Sequence, residues 1–418
     1  MKPISPFGLP LGISFTVWTI AGILRYLSER ISGSKKQIQK PGFSPSDIAA
    51  VIPAHNEELI IRRCIQALRK VLNKNQIYVV SDGSTDKTYR RARLEKCHVS
   101  NLLPGRGKAK GLKYLFTRYK LFERYKFIFI VDADTNMDPT CLIHALPLFN
   151  DKNVGVVFAS SQIKWKQHII PKLSYYFISY RDRLNRLLQY CFVYGQTWKY
   201  TNVIYVIPGF ATIYRSEILE KLEIDTPGLL IEDFNLAFQF HKKKLGKIGY
   251  NPAMIGWDQY PTNLSDYWKQ VRRWNIGFFQ TVKKNGLWLS FFWLTLGVFS
   301  IEIVLNSIFL IFLPLYFLSL FSSVLSFPPI TMLSYAFSSF SIYKNVTPTD
   351  ILIGIFLIDY TITVVIGLVN KKPQFIFYGL FFFFMHYITS LILISSLIPG
   401  FFGKSRGLWT SPKRSSSV

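Results

Sequence analysis

Apolar residues in this chain are distributed in three zones. Residues 9–28 (LPLGISFTVWTIAGILRYLS) form a first apolar stretch, long enough for one membrane-spanning helix. Between 47 and 260, short β-rich runs ending in polar residues alternate with amphipathic helices; the runs are IAAVIPAHN, IYVVSDGS, FIFIVDAD and VGVVFASS. After the first run, Ile61, Cys64, Ile65, Leu68 and Leu72 repeat at helical spacing. Such alternation predicts an α/β fold, a mostly parallel sheet with helices on both faces. Ligands of such sheets bind beyond the carboxyl ends of the strands, where Asp82, Asp132 and Asp134 fall.

From Gly286 onward the pattern becomes membrane-like. The runs 287–320, 351–369 and 374–398 are each long enough to cross a bilayer. The stretch 322–342 is weaker, interrupted by Pro328 and Pro329, and is read as a fourth crossing on topological grounds. Four crossings return the basic tail (Lys404, Arg406, Lys413, Arg414) to the side of the α/β domain. Five spans in all are expected, with four as the alternative. Glu302, inside an otherwise apolar run, is expected to pair with Asn306 on the same helical face. The predicted organisation is an N-terminal transmembrane helix and basic linker (1–46), an α/β domain ending in an interfacial helix (47–285), C-terminal transmembrane helices (286–400) and a basic tail (401–418).

The 50 Lys and Arg against 24 Asp and Glu give a net charge of +26, which by itself would suit nucleic acid. With 49% hydrophobic and 16% aromatic residues and no nucleic-acid motif, the charge instead points to anionic membrane lipids. Arg25, Arg30, Lys35, Lys36 and Lys40 follow the first apolar run and place its C-terminal end in the cytoplasm. Only Lys2 precedes that run and no small-residue cleavage site follows it, so an anchor is expected rather than a cleaved signal. Cys64, Cys97, Cys141 and Cys191 form no C-x-x-C and the six histidines are scattered. Reduced thiols and no zinc site are expected.

Five constellations carry candidate chemistry. Asp82, beside Gly83, can accept hydrogen bonds from a nucleobase or ribose, or can serve with Thr85 and Asp86 in capping a helix. Asp132 and Asp134 close a buried strand and would repel one another unless a cation sits beside them. Mg²⁺ or Mn²⁺ shared with substrate phosphates meets that need, as does a solvated turn in which Asp134 and Asn136 cap a following helix. Gly105, Gly107 and Lys108 in PGRGKAKGL open a helix and suit a phosphate, although the stretch is not a Walker A loop. Glu232 and Asp233 lie near a helix start, where acidic residues are ordinary but where a carboxylate can also deprotonate an acceptor hydroxyl. Gln270, Arg273 and Trp274 share one helical face that offers an amide, a guanidinium for a diphosphate and an indole for a sugar ring. Aromatic and basic residues around them also fit an amphipathic helix at a membrane surface.

Taken in order, VIPAHNEE, SDGSTD, DAD, IED and QVRRW resemble the family-2 glycosyltransferases, which have the GT-A fold. The resemblance is closest to the membrane-bound processive members, the cellulose, hyaluronan and poly-N-acetylglucosamine synthases. It spans residues 47–285 by motif, with isoleucine in place of the usual threonine of the T-E-D-like triplet. It implies an inverting enzyme that uses a nucleotide-sugar, expected to be a UDP-sugar, and Mg²⁺ or Mn²⁺. By resemblance Asp233 is the general base beside Glu232, and Asp134 is the metal ligand. By the same resemblance Asp82, Asp132 and Arg273 bind the donor, and Gln270 and Trp274 the acceptor or product; Lys108, from its place at a helix start, is expected to bind the donor diphosphate. The implied acceptor is a glycan or a lipid, and the implied place is the plasma membrane, multi-pass, with the catalytic domain cytoplasmic. Single transfer to a lipid, an inactive scaffold and a transporter are the alternatives weighed.

Overall fold

The computed structural model describes residues 12–31, 42–163, 172–320, 332 and 348–403. At its centre lie strands β1 (Ile48–Ala54), β2 (Ile77–Asp82), β3 (His98–Leu102), β4 (Phe127–Val131), β5 (Asn136–Met137), β6 (Val154–Gln162), β7 (Ala211–Arg215) and β8 (Lys247–Trp257). They form one sheet in the order β3-β2-β1-β4-β7-β6-β8-β5. The pairs β1–β2, β1–β4, β2–β3 and β6–β8 are parallel, whereas β7 runs antiparallel to β4 and β6, and β5 to β8. Every residue of β1, β2 and β4 is buried, which is why these strands read as apolar runs rather than alternating ones.

Helices of eight residues or more among the described residues are α1 (Ile13–Ile31), α2 (Ile61–Leu68), α3 (Lys108–Arg118), α4 (Lys172–Leu188), α5 (Asp233–Lys242), α6 (Leu264–Asn285), α7 (Phe291–Leu320), α8 (Pro348–Val369) and α9 (Phe382–Phe402). One sheet face packs Ile52, Val79 and Phe129 against Ile61, Cys64, Ile65 and Leu68 of α2. The other packs Val51, Val80 and Ile128 against Leu112 and Leu115 of α3 and against Leu236 and Phe240 of α5. The expected α/β architecture is therefore present, as a mixed, mostly parallel sheet covered on both faces. Strands β3, β5, β7 and β8 had no counterpart among the four runs read in the sequence. In β8, Gly249, Pro252 and Gly256 break the strand signal, and β6 meets it through register shifts.

Among the described residues, three segments are long and apolar enough to cross a membrane: Phe291–Leu315, Leu352–Val369 and Phe382–Phe402. They correct two expected boundaries. The run 287–320 becomes helical only at Phe291, and the run 374–398 divides into a short helix, Gln374–Gly379, and α9. Between the two, Phe381 N–H turns back to the Tyr378 carbonyl, and the Phe381 carbonyl accepts the Tyr176 hydroxyl of α4 at 2.6 Å. The expected crossing at 322–342 lies outside the described residues.

The expected N-terminal helix is present as α1, but it contains Arg25, Glu29 and Arg30 and is not among the three segments. Val17, Ile20, Leu24 and Leu27 are exposed along one side, while Trp18, Ala21 and Arg25 on the other are buried. Arg25 donates to the Tyr194 carbonyl at 2.9 Å and the Tyr250 carbonyl at 3.2 Å, tying α1 to the sheet domain. Glu302 of α7 does not pair with Asn306 as expected. Its carboxylate accepts the Ile13 and Ser14 amides at 2.5 and 3.0 Å, so it caps α1. Unpaired amides at a helix start attract negative charge, and this demand outcompetes a neutral amide on the same helix.

Gly195 lies so close under α1 that a Cβ there would sit 2.3 Å from the Trp18 carbonyl oxygen and 3.1 Å from the Gly22 nitrogen. Gly195→Ala is expected to lift α1 off the domain at a cost of about 1–3 kcal/mol. Thermal unfolding in detergent measures this directly, and an unchanged Tm would mean that α1 has room to adjust.

Candidate active site

The ends of β2 and β4, the starts of α3 and α5, and the loop before β7 converge on one spot. Asp82, the last residue of β2, is buried, and its two oxygens accept the amides of Arg106 at 2.7 Å and Gly107 at 2.6 Å. It thereby fixes the loop that launches α3. That loop places Lys108 at the first position of α3, as the sequence suggested. Lys108 Nζ stands 2.9 Å from Asp132 Oδ1 and 2.8 Å from Glu232 Oε1. Asp132 follows β4, while Glu232 and Asp233 occupy the cap and first residue of α5. Four sequence-predicted residues from three separate segments are thus within one ion-paired group.

Gly209, which the sequence reading missed, closes the floor of this group. A Cβ on it would lie 2.5 Å from Asp233 Oδ1 and 2.8 Å from Lys108 Nζ, so a larger residue there would push the two side chains aside. The only sequence signal was a Pro-Gly step just before a strand.

The four groups set one another's ionisation. Burial opposes the Lys108 ammonium, yet the charges of Asp132, Glu232 and Asp233 outweigh it and hold the group well above its ordinary value. Burial raises Asp132 despite Lys108, with Asp134 and Glu232 adding to the rise. Burial likewise raises Glu232, but the adjacent Lys108, and then Arg273, bring it below its usual value. Burial and then the Glu232 charge push the Asp233 carboxyl up to about 7. Neighbouring carboxylates driven apart in this way can divide into a fixed anion and a proton acceptor near neutral pH. Asp233 Oδ1 is buried beside Gly209 and, among the described residues, is not ion-paired as Glu232 is, which leaves the carboxyl able to receive a hydroxyl.

Helix α6 brings the remaining predicted residues. Asn263 caps it through the Asp266 amide at 2.9 Å. Its Arg273 acts on Glu232, and the buried Gln270 Oε1 makes no hydrogen bond among the described residues. Trp274 packs against the aromatic cluster of Phe177, Tyr180, Tyr267 and Phe382. The guanidinium of Arg181, a second residue the sequence reading missed, lies 4.5 Å over its ring. Arg181 sits in an amphipathic stretch where nothing local distinguishes it. A cavity of about 230 Å³ opens between Arg106–Lys110 and Ile224–Glu232, beside Lys108.

No group of three or more His, Cys, Asp or Glu suited to a metal exists among the described residues. At the mouth of β4, Asp132 and Asp134 supply carboxylate oxygens close enough for the Asp134 charge to raise Asp132. An oxygen-only set of this size fits a hard divalent cation that draws its other ligands from substrate phosphates, not a closed His/Cys zinc site.

A mixed sheet with acidic residues at its strand ends and a lysine at a helix start has the layout of the GT-A fold. The chain belongs to the glycosyltransferase-like family 2, whose model matches residues 45–277. It is 26% identical over 295 residues to a Bacillus subtilis protein named probable glycosyltransferase YdaM, covering 63% of this chain and 66% of that one. It is 23% identical over 283 residues to a poly-beta-1,6-N-acetyl-D-glucosamine synthase of Staphylococcus aureus, covering 64% of this chain and 65% of that one. The match therefore spans just under two thirds of these relatives' own length. Among solved structures, a Pyrobaculum calidifontis mannosyltransferase in complex with GDP-Man and Mn²⁺ superposes with a TM-score of 0.53 at 14% identity, covering 94% of this chain and 100% of that one. That likeness shows the fold.

Lys108→Met is expected to leave the half-buried Asp132 and Glu232 without their cation, at a cost of about 1–3 kcal/mol; thermal unfolding of the variant checks it. A second prediction concerns pH. Between its ordinary value and about 7, folded Asp233 keeps a proton that the unfolded chain releases, so stability falls as pH rises across that window. Asp233→Asn should flatten this dependence and raise Tm at pH 8. Identical Tm-against-pH curves for the two proteins would refute the assignment.

Proposed function

We propose that this glycosyltransferase inverts the sugar it transfers, taking it from a nucleotide-sugar, a UDP-sugar by family, and placing it on an acceptor hydroxyl to elongate an extracellular polysaccharide. One observation carries the reading: Lys108 holds Asp132 and Glu232 together while Asp233, beside them, stays poised near neutrality. Support for a polymer product comes from the staphylococcal relatives, which are named as synthases of one. Support for the membrane setting comes from the three apolar segments that follow α6. The proposed setting is the plasma membrane, with residues 47–285 on the cytoplasmic side.

In this mechanism Asp233 takes the proton of the acceptor hydroxyl. The freed oxygen attacks the anomeric carbon from the face opposite the diphosphate, and the bond to the diphosphate breaks. Glu232 remains ionised and keeps Lys108 in place. Lys108 and Arg273 take up the negative charge of the departing diphosphate, and Asp132 orients the donor through Lys108. Asp134, with Asp132, would hold Mg²⁺ or Mn²⁺, which neutralises the diphosphate when bound. Asp82 acts on the nucleotide through the loop it fixes between Arg106 and Gly107. Gln270 Oε1 offers a buried acceptor for a sugar hydroxyl, and Trp274 offers a ring for stacking. Holding both sugars in line supplies much of the acceleration.

Single transfer to a lipid is the second reading, and one observation favours it. Arg181 covers a face of Trp274 and brings a cation to the acceptor side, which suits an anionic lipid head better than a neutral glycan.

Purified protein in nanodiscs, given a panel of UDP- and GDP-sugars with Mg²⁺ or Mn²⁺, is expected to release nucleoside diphosphate with one donor and to form a long product. Release should vanish with EDTA and in Asp233→Asn. A single-sugar lipid product would select the second reading, and no release with any donor would overturn both. The kcat/KM profile should fall toward acid with a midpoint near 7, because the base must be unprotonated. Glu232→Gln should move that midpoint down, since the Glu232 charge helps to raise it.

A further inference from the structure

The loop that presents Glu232 and Asp233 is seated on α6 by its own residues. Ile231 lies against Gly277, so tightly that a Cβ at Gly277 would sit 2.2 Å from Ile231 Cγ1 and 2.7 Å from its Cδ1. The isoleucine therefore occupies the very space a side chain at 277 would need. One residue earlier, the Leu230 amide donates to the buried Gln280 Oε1 at 2.9 Å. Gly277 and Gln280 are one and two helical turns from Arg273, on the same face.

Helix α6 is itself fixed to the last apolar segment. Tyr267 and Thr389 share a hydrogen bond of 2.7 Å near one end, and Lys283 donates to the Phe401 carbonyl at 2.7 Å near the other. Between them Phe279 packs on Gly400, where a Cβ would lie 2.6 Å from the phenylalanine Cβ. The acidic loop thus takes its position from a helix locked to the membrane segment.

We propose that Ile231 is a positioning residue. Its seat in the Gly277 notch sets the distance between the Glu232–Asp233 carboxylates and the Arg273–Trp274 face of α6. This rests on the reading of Asp233 as the base and deepens it. The departure from the family triplet, isoleucine for threonine, then has a physical reason: the position fills a hole in a neighbouring helix and needs no hydroxyl. Because Ile231 touches α6 and not the reacting groups, its loss is expected to act on the rate and to spare donor binding.

The test uses full-length enzyme in nanodiscs and four proteins: wild type, Gly277→Ala, Ile231→Ala and the double variant. Gly277→Ala is expected to lower kcat about 10- to 100-fold, the range that a displacement of about 1 Å commands, with donor KM within about twofold. Ile231→Ala removes the two atoms that a new methyl would strike, so the double variant should regain most of the lost kcat. A double variant no faster than Gly277→Ala, or a Gly277→Ala enzyme as fast as wild type, overturns the proposal. Should Gly277→Ala fail to fold, Ile231→Val and Ile231→Ala alone must show a graded fall in kcat at constant KM, and equal rates would overturn it. Thermal stability against pH reads the Asp233 environment without substrate. If no donor is turned over by wild type, the catalytic reading fails by itself. The seat is then judged by whether Gly277→Ala shifts the Asp233-dependent part of that curve and Ile231→Ala restores it.

Discussion

Carboxylates collected at the end of a buried strand repel one another, and a like pair about 4 Å apart in a partly shielded site costs about 4 kcal/mol. Here Asp132, Glu232 and Asp233 come from two distant stretches of chain, and the ammonium of Lys108 is what allows them to stand together. Everything that brings Lys108 to that point therefore matters to the site. Asp82 fixes the loop before α3, α3 packs on the sheet through Leu112 and Leu115, and Gly209 leaves the space below. A single cation shared among several acids also leaves one acid under-compensated, and burial decides that this is Asp233.

The same constraint explains why α6 is part of the site. Arg273 reaches the acid group from α6, and α6 is held to α9 at both ends. The site thus has two halves on different supports, Lys108 and Asp132 on the sheet, and Arg273 with the Ile231 loop and its acids on α6. Catalytic geometry that depends on two supports needs a defined joint between them, and the isoleucine-in-notch contact supplies one without a polar group that would need solvation.

The parts of this fold that were legible in the sequence are those where local pattern and burial agree. Strands β1, β2 and β4 are buried on both faces, so their residues are apolar in succession and end abruptly in Asp82 or Asp132. The amphipathic periods of α2 and α6 were equally plain. Strand β7 was missed because its five residues, inserted between β4 and β6, carry no alternating period of their own, and β8 because glycines and a proline interrupt it. Glu302 shows the limit from another side. Its pairing with Asn306 was reasoned along its own helix, whereas its partners are backbone amides nearly 290 positions away.

The acid pair marks the same limit at the site. In sequence, Glu232 and Asp233 are two adjacent carboxylates at a helix start, and nothing local separates a counter-ion from a base. Their difference comes from which one faces Lys108. Glu232 meets the ammonium at 2.8 Å and is held below its usual value, while Asp233 Oδ1 turns toward Gly209 and its carboxyl is pushed up to about 7. The motif therefore names the pair, and the surroundings of each acid, Lys108 for one and burial for the other, set their ionisation apart.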